Sequence, residues 1–579
     1  MSDNIYIVNT KEVFDAIVVG SGISGGWAAK ELTEKGLKTL IVERGRPVEH
    51  RKDYVGEGVK PWQMPFRGKI ERDVVEEQHY IQKKCYAFND ATKHFFGNDK
   101  DYPYATPKDK PFDWIRGNQL GGKSLLWHRQ SYRWSEYDFT ANARDGQGTD
   151  WPIRYKDVEK WYDYVETHAG ISGSVENNPA LPDSKFLPPF EMNAVEKEMK
   201  KRIESKWATR KLFIGRTAHL SVPGPQHIAQ GRVQCQARNE CQKGCSFGAY
   251  FSTQSSTLPA ALATNNLKIA TNSIVHSVIY DPKTNRAKGV RVIDSETMET
   301  REYFAKVIFL CASTLGTTQI MLNSKSETFP NGIANSSGVL GHYLMDHLYT
   351  AGATGRVEGF EEEYYSGRRP TGLAMAPFRN ITEKNSKFLR GYMLTGGAQR
   401  TPWEAFAQQD GFGADFKKSI RSAGSWYFHL GGSGEMLPRY ENQVSLHPTL
   451  KDKWGMPQLY IECSYGENDI KIFHDIADTC AEILEAIGVK EVQKEIRALE
   501  KGQWAPGLSI HEMGTARMGK DPKTSILNGW NQTHDIPNLF VTDGASMASC
   551  ASQNPSLTYM ALTARAADYA VAQLKQGKI

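Results

Sequence analysis

The chain has 579 residues, of which 40% are hydrophobic, 11% aromatic and 24% charged, which suits a folded enzyme with a large core and excludes a disordered or fibrous chain. Lys and Arg exceed Asp and Glu by 71 − 66 = +5 without running together, so nucleic acid is not an implied partner. No stretch approaches the roughly 18 consecutive apolar residues of a bilayer span, the opening MSDNIYIVNTKEVFD lacks the features of an export signal, and the 8 cysteines are too few for a disulfide scaffold.

Ala16-Ile17-Val18-Val19 is a β-branched run that reads as a buried strand. Gly20-Ser21-Gly22-Ile23-Ser24-Gly25-Gly26 follows, then a helix from Trp27 to Lys35 closed by Gly36. A second run from Thr39 to Val42 ends in Glu43-Arg44-Gly45. This is a βαβ unit, and it demands a parallel sheet with a right-handed crossover. Residues 50–110 are polar, aromatic and turn-rich, a cover segment rather than a domain. Val158, Trp161 and Val165 mark a helical fragment. The β signal returns at Lys268 to Ala270, Ile274 to Tyr280, Gly289 to Ile293 and Ala305 to Cys311. Between 440 and 463 the alternation puts Leu459, Ile461 and Cys463 on one face, which predicts an antiparallel sheet covered on one side. Asn468 is then expected to cap a helix with Phe473, Ile476, Cys480, Ile483 and Ile487 in one stripe, stopped at Gly488.

The Gly-x-Gly-x-x-Gly turn follows a strand and opens a helix, the context in which it binds a dinucleotide. Gly20 allows the tight turn, Gly22 lets backbone approach a pyrophosphate, and Gly25 lets helix and strand pack closely. The phosphates then sit on the helix N-terminus with Ser24 in its first turn. Glu43 would accept hydrogen bonds from the adenosine ribose, with Arg44 beside it. The motif alone does not separate FAD from NAD, and a Gly-rich turn serving packing only is the bland alternative.

Three further segments resemble the glucose–methanol–choline (GMC) family of FAD oxidoreductases, in the family's order. Arg116-Gly-Asn-Gln-Leu-Gly121-Gly122-Lys-Ser124 resembles its Gly-Gly-x-Ser loop beside the flavin and pyrophosphate. Cys311-Ala-Ser-Thr-Leu-Gly-Thr317 resembles the turn over the adenine half, and Val275 is carried over as a cofactor contact. His511-Glu-Met-Gly-Thr-Ala-Arg-Met-Gly519, Asn538 to Asp543-Gly544, and Ser552-Gln-Asn554-Pro555 to Thr558 complete the C-terminal block, followed by an Ala-rich helix to Gln573. The resemblance is thin from about 50 to 110 and 350 to 430.

It implies that His511 is the base that takes a hydroxyl proton as hydride leaves the carbon, a task suited to a neutral imidazole. Asn554 matches the partner position and cannot titrate, so it should orient the hydroxyl and stabilise the developing oxyanion. His347, in Leu-Met-Asp-His-Leu, is expected to pack or to bond a carboxylate. Some relatives tether the flavin through a His two residues beyond the Gly-Gly-x-Ser segment; that position is Leu126 here, with Trp127 and His128 after it, so FAD is expected to be non-covalent.

Cys235-x5-Cys241-x3-Cys245 forms a tight cluster with Gly244 and Gly248 in the same loop. Zinc normally wants four protein ligands, and neither a fourth Cys nor a His lies nearby in sequence. Three thiolates suit an iron–sulfur cluster, and the spacing resembles that of flavin subunits holding a 3Fe-4S cluster, with Ser246 where those often have Pro. Zinc and merely structural thiols remain alternatives.

The expected fold is a two-part α/β protein of the GMC kind. A Rossmann-like FAD-binding domain is assembled from 1–50, 110–135, 232–340 and 505–579, and a substrate domain with an antiparallel sheet, plus cover segments, fills 51–109, 136–231 and 341–504. The resemblance points to FAD-dependent oxidation of a sugar or glycoside secondary alcohol, C3 favoured, by a glucoside 3-dehydrogenase-type enzyme. C1 or C2 oxidation, an oxygen-using oxidase, and a lyase with structural FAD are the rivals. It also implies a small export-signal-bearing subunit, a c-type cytochrome acceptor and a periplasmic location by co-export, with a cytoplasmic life as the alternative.

Overall fold

The computed structural model describes residues 5–6, 8–363, 370–401, 411–421, 424–500 and 504–579; the first four residues of the opening segment lie outside them. Strand Val13–Val19 lies between Thr39–Val42 and Thr300–Leu310, parallel to both. Leu267–Ala270 extends the sheet beyond Thr39–Val42, and Leu539–Val541 adds in parallel to Thr300–Leu310. Arg286–Asp294 and Ser273–Asp281 complete the seven strands in antiparallel pairing. Parallel strands covered on both faces need continuous apolar runs. Accordingly, Ala16 to Val19, Thr39 to Val42 and Leu539 to Val541 are all 0–2% exposed. Helix Ile23–Glu34 forms the crossover, starting at the Gly-rich turn itself, and packs against Ser556–Lys575 and Thr257–Ala263.

A second seven-stranded sheet is antiparallel throughout. Its order is Lys490–Ile496, Ala351–Val357, Trp426–Glu435, Tyr392–Arg400, Leu373–Met375 and Leu212–Ile214, with His347–Leu348 also pairing Trp426–Glu435. The alternating segment at 440–463 is not part of it. That segment forms a separate hairpin, Gln443–Lys451 with Pro457–Glu462, whose Leu459, Ile461 and Cys463 are buried as expected. The main sheet escaped sequence reading because its central strands carry Gly pairs, which erase the two-residue period. Close approach requires them: a Cβ on Gly396 would lie 2.1 Å from the His429 carbonyl oxygen.

Helix Glu467–Ala486 covers this sheet. Its N-cap is Gly466, whose N–H donates to the Asp469 carboxylate at 2.7 Å, and not Asn468. Asn468 instead accepts from the Leu389 N–H at 2.8 Å and donates to the Leu389 carbonyl at 3.2 Å, pinning a neighbouring loop. The first sheet draws its strands from within 1–50, 232–340 and 505–579, and the second from 136–231 and 341–504. Among the described residues no helix is long and apolar enough to cross a membrane.

Candidate active site

The three glycines of the turn do different work. Gly20 has φ +89°, and a Cβ there would meet the Cys311 carbonyl oxygen at 2.5 Å. A Cβ on Gly25 would sit 1.9 Å from the Gly20 carbonyl oxygen. Gly22 is different, for a Cβ there meets nothing within 4 Å. It caps the crossover helix in extended backbone, and across the gap Gly122 approaches so closely that its Cβ would be 3.5 Å from Gly22 Cα. The Gly121 N–H donates to Ser21 Oγ at 2.8 Å, the Thr253 N–H to Ser124 Oγ at 3.1 Å, and the Thr253 hydroxyl to the Gly22 carbonyl at 3.1 Å. Two distant loops thus close around an open, backbone-lined helix N-terminus, which fits a pyrophosphate.

Glu43 is buried and already occupied in part. It accepts from the Ser21 N–H at 3.0 Å and the Gly45 N–H at 2.9 Å, so it holds the turn shut as well as offering lone pairs to a ribose. Burial raises its pKa, opposed by these bonds. The Arg44 guanidinium lies 4.5 Å over the Tyr102 ring with Nε unpartnered. Ser24 is buried in the first turn, Leu126 packs with Phe95 and Ile115, and Val275 pairs with Val292 in the first sheet. The Cys311 N–H donates to the Val19 carbonyl at 2.8 Å. Asp543 accepts from the Thr317 hydroxyl at 2.6 Å and the Ala545 N–H at 3.0 Å, and burial pushes its pKa up to about 6. A Cβ on Gly544 would lie 2.4 Å from Thr314 Oγ1, and Pro555 caps helix Ser556–Lys575.

Register brings His347 and His511 together. Met345 and Met513 exchange backbone hydrogen bonds at 2.9 Å each, an antiparallel bridge. Two residues after Met345 and two before Met513, on the same face, stand His347 and His511. Their Nδ1 atoms are 2.8 Å apart and their rings are crossed at 84°. His511 Nε2 lies 3.4 Å from Asn554 Nδ2, which is 3.4 Å from the Tyr349 hydroxyl. His511 and Asn554 are half-buried, whereas Glu512, Met513, Gln553 and Pro555 are buried, so these two side chains reach the open side. Among the described residues no carboxylate bonds the His347 ring. Its Nε2 meets the Cys550 carbonyl at 2.9 Å, which corrects the expected carboxylate partner.

Asp346 holds the backbone of this site. Its carboxylate accepts from the N–H groups of Gly507 at 2.7 Å, His347 at 2.9 Å, His511 at 3.1 Å and Ser509 at 3.2 Å. These bonds flank Ile510, a β-branched residue at φ +62°, a strained conformation immediately before His511. Burial, then the Glu512 charge, push the Asp346 pKa up to about 7 against those four donors. Burial, then the neighbouring His347 ring and the Lys123 charge, hold His511 well below its ordinary value, so it is neutral and able to accept a proton. Lys123, within the Gly-Gly-x-Ser loop, bonds Glu512 at 2.9 Å and ties that loop to the one carrying His511.

The cysteine loop is clamped by the cover segment. Glu57 accepts from the Ser246 N–H at 3.1 Å, Glu240 from the Gly58 N–H at 3.0 Å, and Arg51 donates to the Ser246 carbonyl at 2.9 Å. A His does lie nearby in space, against the sequence expectation: His219 Nε2 is 3.5 Å from Cys241 Sγ. Among the described residues no three His, Cys, Asp or Glu side chains are grouped so as to hold a metal ion, Cys235, Cys241 and Cys245 included. The thiols nevertheless sense one another. Burial first, then Cys241 and Cys245, push the Cys235 thiol up to about 11. Beside them Arg129 is 2% exposed, stacked 3.9 Å over the Tyr250 ring, with Nε and Nη1 unpartnered. Arg129 pulls down the thiols of Cys235 and Cys241, so a buried cation faces these two cysteines.

Family models described as GMC oxidoreductase match residues 14–349 and 438–563. The chain is 29% identical to 2-methyl-1,2-propanediol dehydrogenase of Mycolicibacterium austroafricanum, over 96% of this chain and 94% of that one. It is 26% identical to the fructose dehydrogenase large subunit of Gluconobacter japonicus, over 97% and 98%. The gluconate 2-dehydrogenase flavoprotein of Pantoea cypripedii shares 24%, over 97% and 94%. Pyridoxine 4-oxidase from Mesorbium loti superposes with a TM-score of 0.57 at 18% identity, covering 96% of this chain and 98% of that one, which shows the fold. With a cradle for a dinucleotide, a neutral His–Asn pair beside it, and family models spanning most of its length, the chain belongs to the GMC oxidoreductases, FAD-binding enzymes that act on the CH–OH groups of alcohols and sugars.

Proposed function

We propose that this protein is a dehydrogenase that oxidises a ring secondary hydroxyl of a sugar or glycoside, C3 favoured, to a ketone. The observation that carries the chemistry is the neutral His511 Nε2 set 3.4 Å from Asn554 Nδ2 on the open side of the cradle. A hydroxyl lodged between them gives its proton to His511 Nε2, while the Asn554 amide donates to the oxygen as charge grows there. FAD, held without a covalent bond by the turn at 20–25, the loop at 121–124 and the segment at 543–555, supplies the hydride acceptor when bound. Asp346 keeps the base from drifting, and Lys123 couples the loop of the cofactor to that of the base. The sugar assignment leans on relatives named for fructose and gluconate.

Cys235, Cys241 and Cys245 would hold an iron–sulfur cluster, which when bound would take electrons one at a time and hand them to a partner. The support is the buried Arg129 guanidinium, with Nε and Nη1 unpartnered and its charge felt by Cys235 and Cys241, because a cluster ligated by thiolates is an anion. One relative is named as a large subunit, which supports a partner subunit; export of the chain together with that partner is part of the proposal. A second reading, a small vicinal diol as substrate, follows from the diol dehydrogenase relative.

Anaerobic titration of the purified holoprotein with methyl glucoside, whose C1 hydroxyl is blocked, tests the substrate. Bleaching of the flavin band is expected, with a 3-keto product. Bleaching by free glucose alone moves the reaction to C1, and bleaching only by a small diol sinks the sugar assignment. Iron and acid-labile sulfide in the same sample test the cluster; protein with full flavin and neither of them removes it.

A further inference from the structure

We propose that His347 is a positioning residue that sets the tautomer of His511, through a chain of two hydrogen bonds starting at the Cys550 carbonyl. This rests on the reading of His511 as the base. A carbonyl oxygen only accepts, so His347 Nε2, 2.9 Å from the Cys550 oxygen, carries the hydrogen. His347 is fully buried, and burial lowers its pKa to about 4, so the ring is neutral and its Nδ1 is a bare acceptor. His511 Nδ1, 2.8 Å away, must then be the donor. A neutral imidazole carries one hydrogen, which leaves His511 Nε2 with its lone pair exposed toward Asn554 and the substrate hydroxyl. Without this chain either nitrogen of His511 could hold the hydrogen, and the molecules with it on Nε2 could not take a proton there.

His347 thus fills the place that a carboxylate fills behind the histidine of a hydrolase triad, but as an uncharged ring. The charged and titratable groups around the pair are Lys123, Glu512, Asp346 and Tyr349, with Glu435 paired to His347 in register on the adjoining strand. Among the described residues none of them bonds a ring nitrogen of either histidine. When His511 takes the substrate proton, its Nδ1–H bond to the His347 lone pair becomes charge-assisted and strengthens. The device therefore favours the product of proton transfer as well as its starting tautomer.

The test is a crossed pair of isosteres, read as the limiting rate of flavin bleaching in the FAD-loaded protein with the substrate that bleaches the parent. His347→Asn keeps an acceptor where Nδ1 stood and loses the bond to Cys550. His347→Gln keeps a donor where Nε2 stood and loses the acceptor. Tautomer control predicts that Asn stays within about fivefold of the parent, while Gln and His347→Leu lose about 100-fold in limiting rate at unchanged substrate Kd. Because tautomers do not differ in proton count, the loss should be the same at every pH on the plateau. Flavin absorbance and melting temperature identify folded variants, and Asn against Gln decides even where Leu does not fold. Gln active with Asn slow would mean that His347 only anchors Cys550; three equal losses would mean packing; three parental rates would mean no role. Each of these overturns the proposal. Should His511→Gln itself bleach at the parental rate, the base assignment fails instead.

Discussion

Gly22→Ala separates the cofactor's claim on the turn from the fold's. The residue has φ −65°, which any side chain adopts, and a Cβ there meets nothing within 4 Å. The apoprotein should therefore tolerate Ala, and the stiffer unfolded chain should stabilise it by about 0.4–1 kcal/mol. The open space is what a pyrophosphate would fill. A methyl group there holds the phosphate off the helix N-terminus, and losing two charge-assisted amide bonds at about 1.5–2 kcal/mol each costs about 3–4 kcal/mol. At about 1.4 kcal/mol per decade, FAD affinity falls by more than 100-fold. Gly25→Ala should behave in the opposite way: its Cβ would lie 1.9 Å from the Gly20 carbonyl oxygen, so the turn must open and the protein melts early with or without cofactor. Fluorescence titration of apoprotein with FAD, beside melting temperatures of the apo forms, reads both effects. Parental FAD affinity in Gly22→Ala, or an apo melting temperature as low as that of Gly25→Ala, would refute this division of labour.

His511→Gln should keep FAD, by its absorbance, and lose about 10²–10⁴-fold in the rate of flavin bleaching, the range of a general base. Since burial holds the His511 pKa well below 6.5, raising the pH removes its proton early. The bleaching rate should climb on a limb centred below 6.5 and be flat above it, and a limb at 7 or higher would contradict the buried neutral base. Lys123 is one of the charges that depress His511, so Lys123→Met should shift that limb to higher pH, and a profile that stays put would dismiss the coupling. Cys241→Ser should remove iron and sulfide from the holoprotein while bleaching by substrate persists, because the cluster lies after the flavin in the proposed path; retained iron would place the metal elsewhere.

The parts of the molecule legible in the sequence are those where one local rule dominates. Thr39 to Val42 is a strand with the bounds read from its apolar run, since a buried parallel strand has no polar face to dilute the pattern. The stripe from Phe473 to Ile483 is helical for the same kind of reason. The second sheet was illegible because its middle strands spend Gly where neighbouring backbones crowd, as at Gly396 and Gly352, and Gly carries no pattern. Asn468 shows a different failure: the loop at Leu389 claims its side chain, and the helix is capped two residues earlier at Gly466.

At the site, the same contrast separates motif from geometry. His511 and Asn554 could be read because they lie in one recognisable block, yet what makes His511 useful comes from elsewhere in the chain. The Met345–Met513 bridge sets His347 opposite the base, and Asp346 binds the loop before it through four amides. The dipeptide Asp346-His347 acts in two directions at once, the carboxylate on backbone and the imidazole on the base. Neither role leaves a periodicity or a charge pattern. Likewise His219 and Arg129 reach the cysteine loop from sequence positions well before it, so spacing alone could not reveal them. Residues that bond a site through register and burial, as His347 and Asp346 do here, become visible only when the strands are paired, whereas Lys123 already lay in a legible loop.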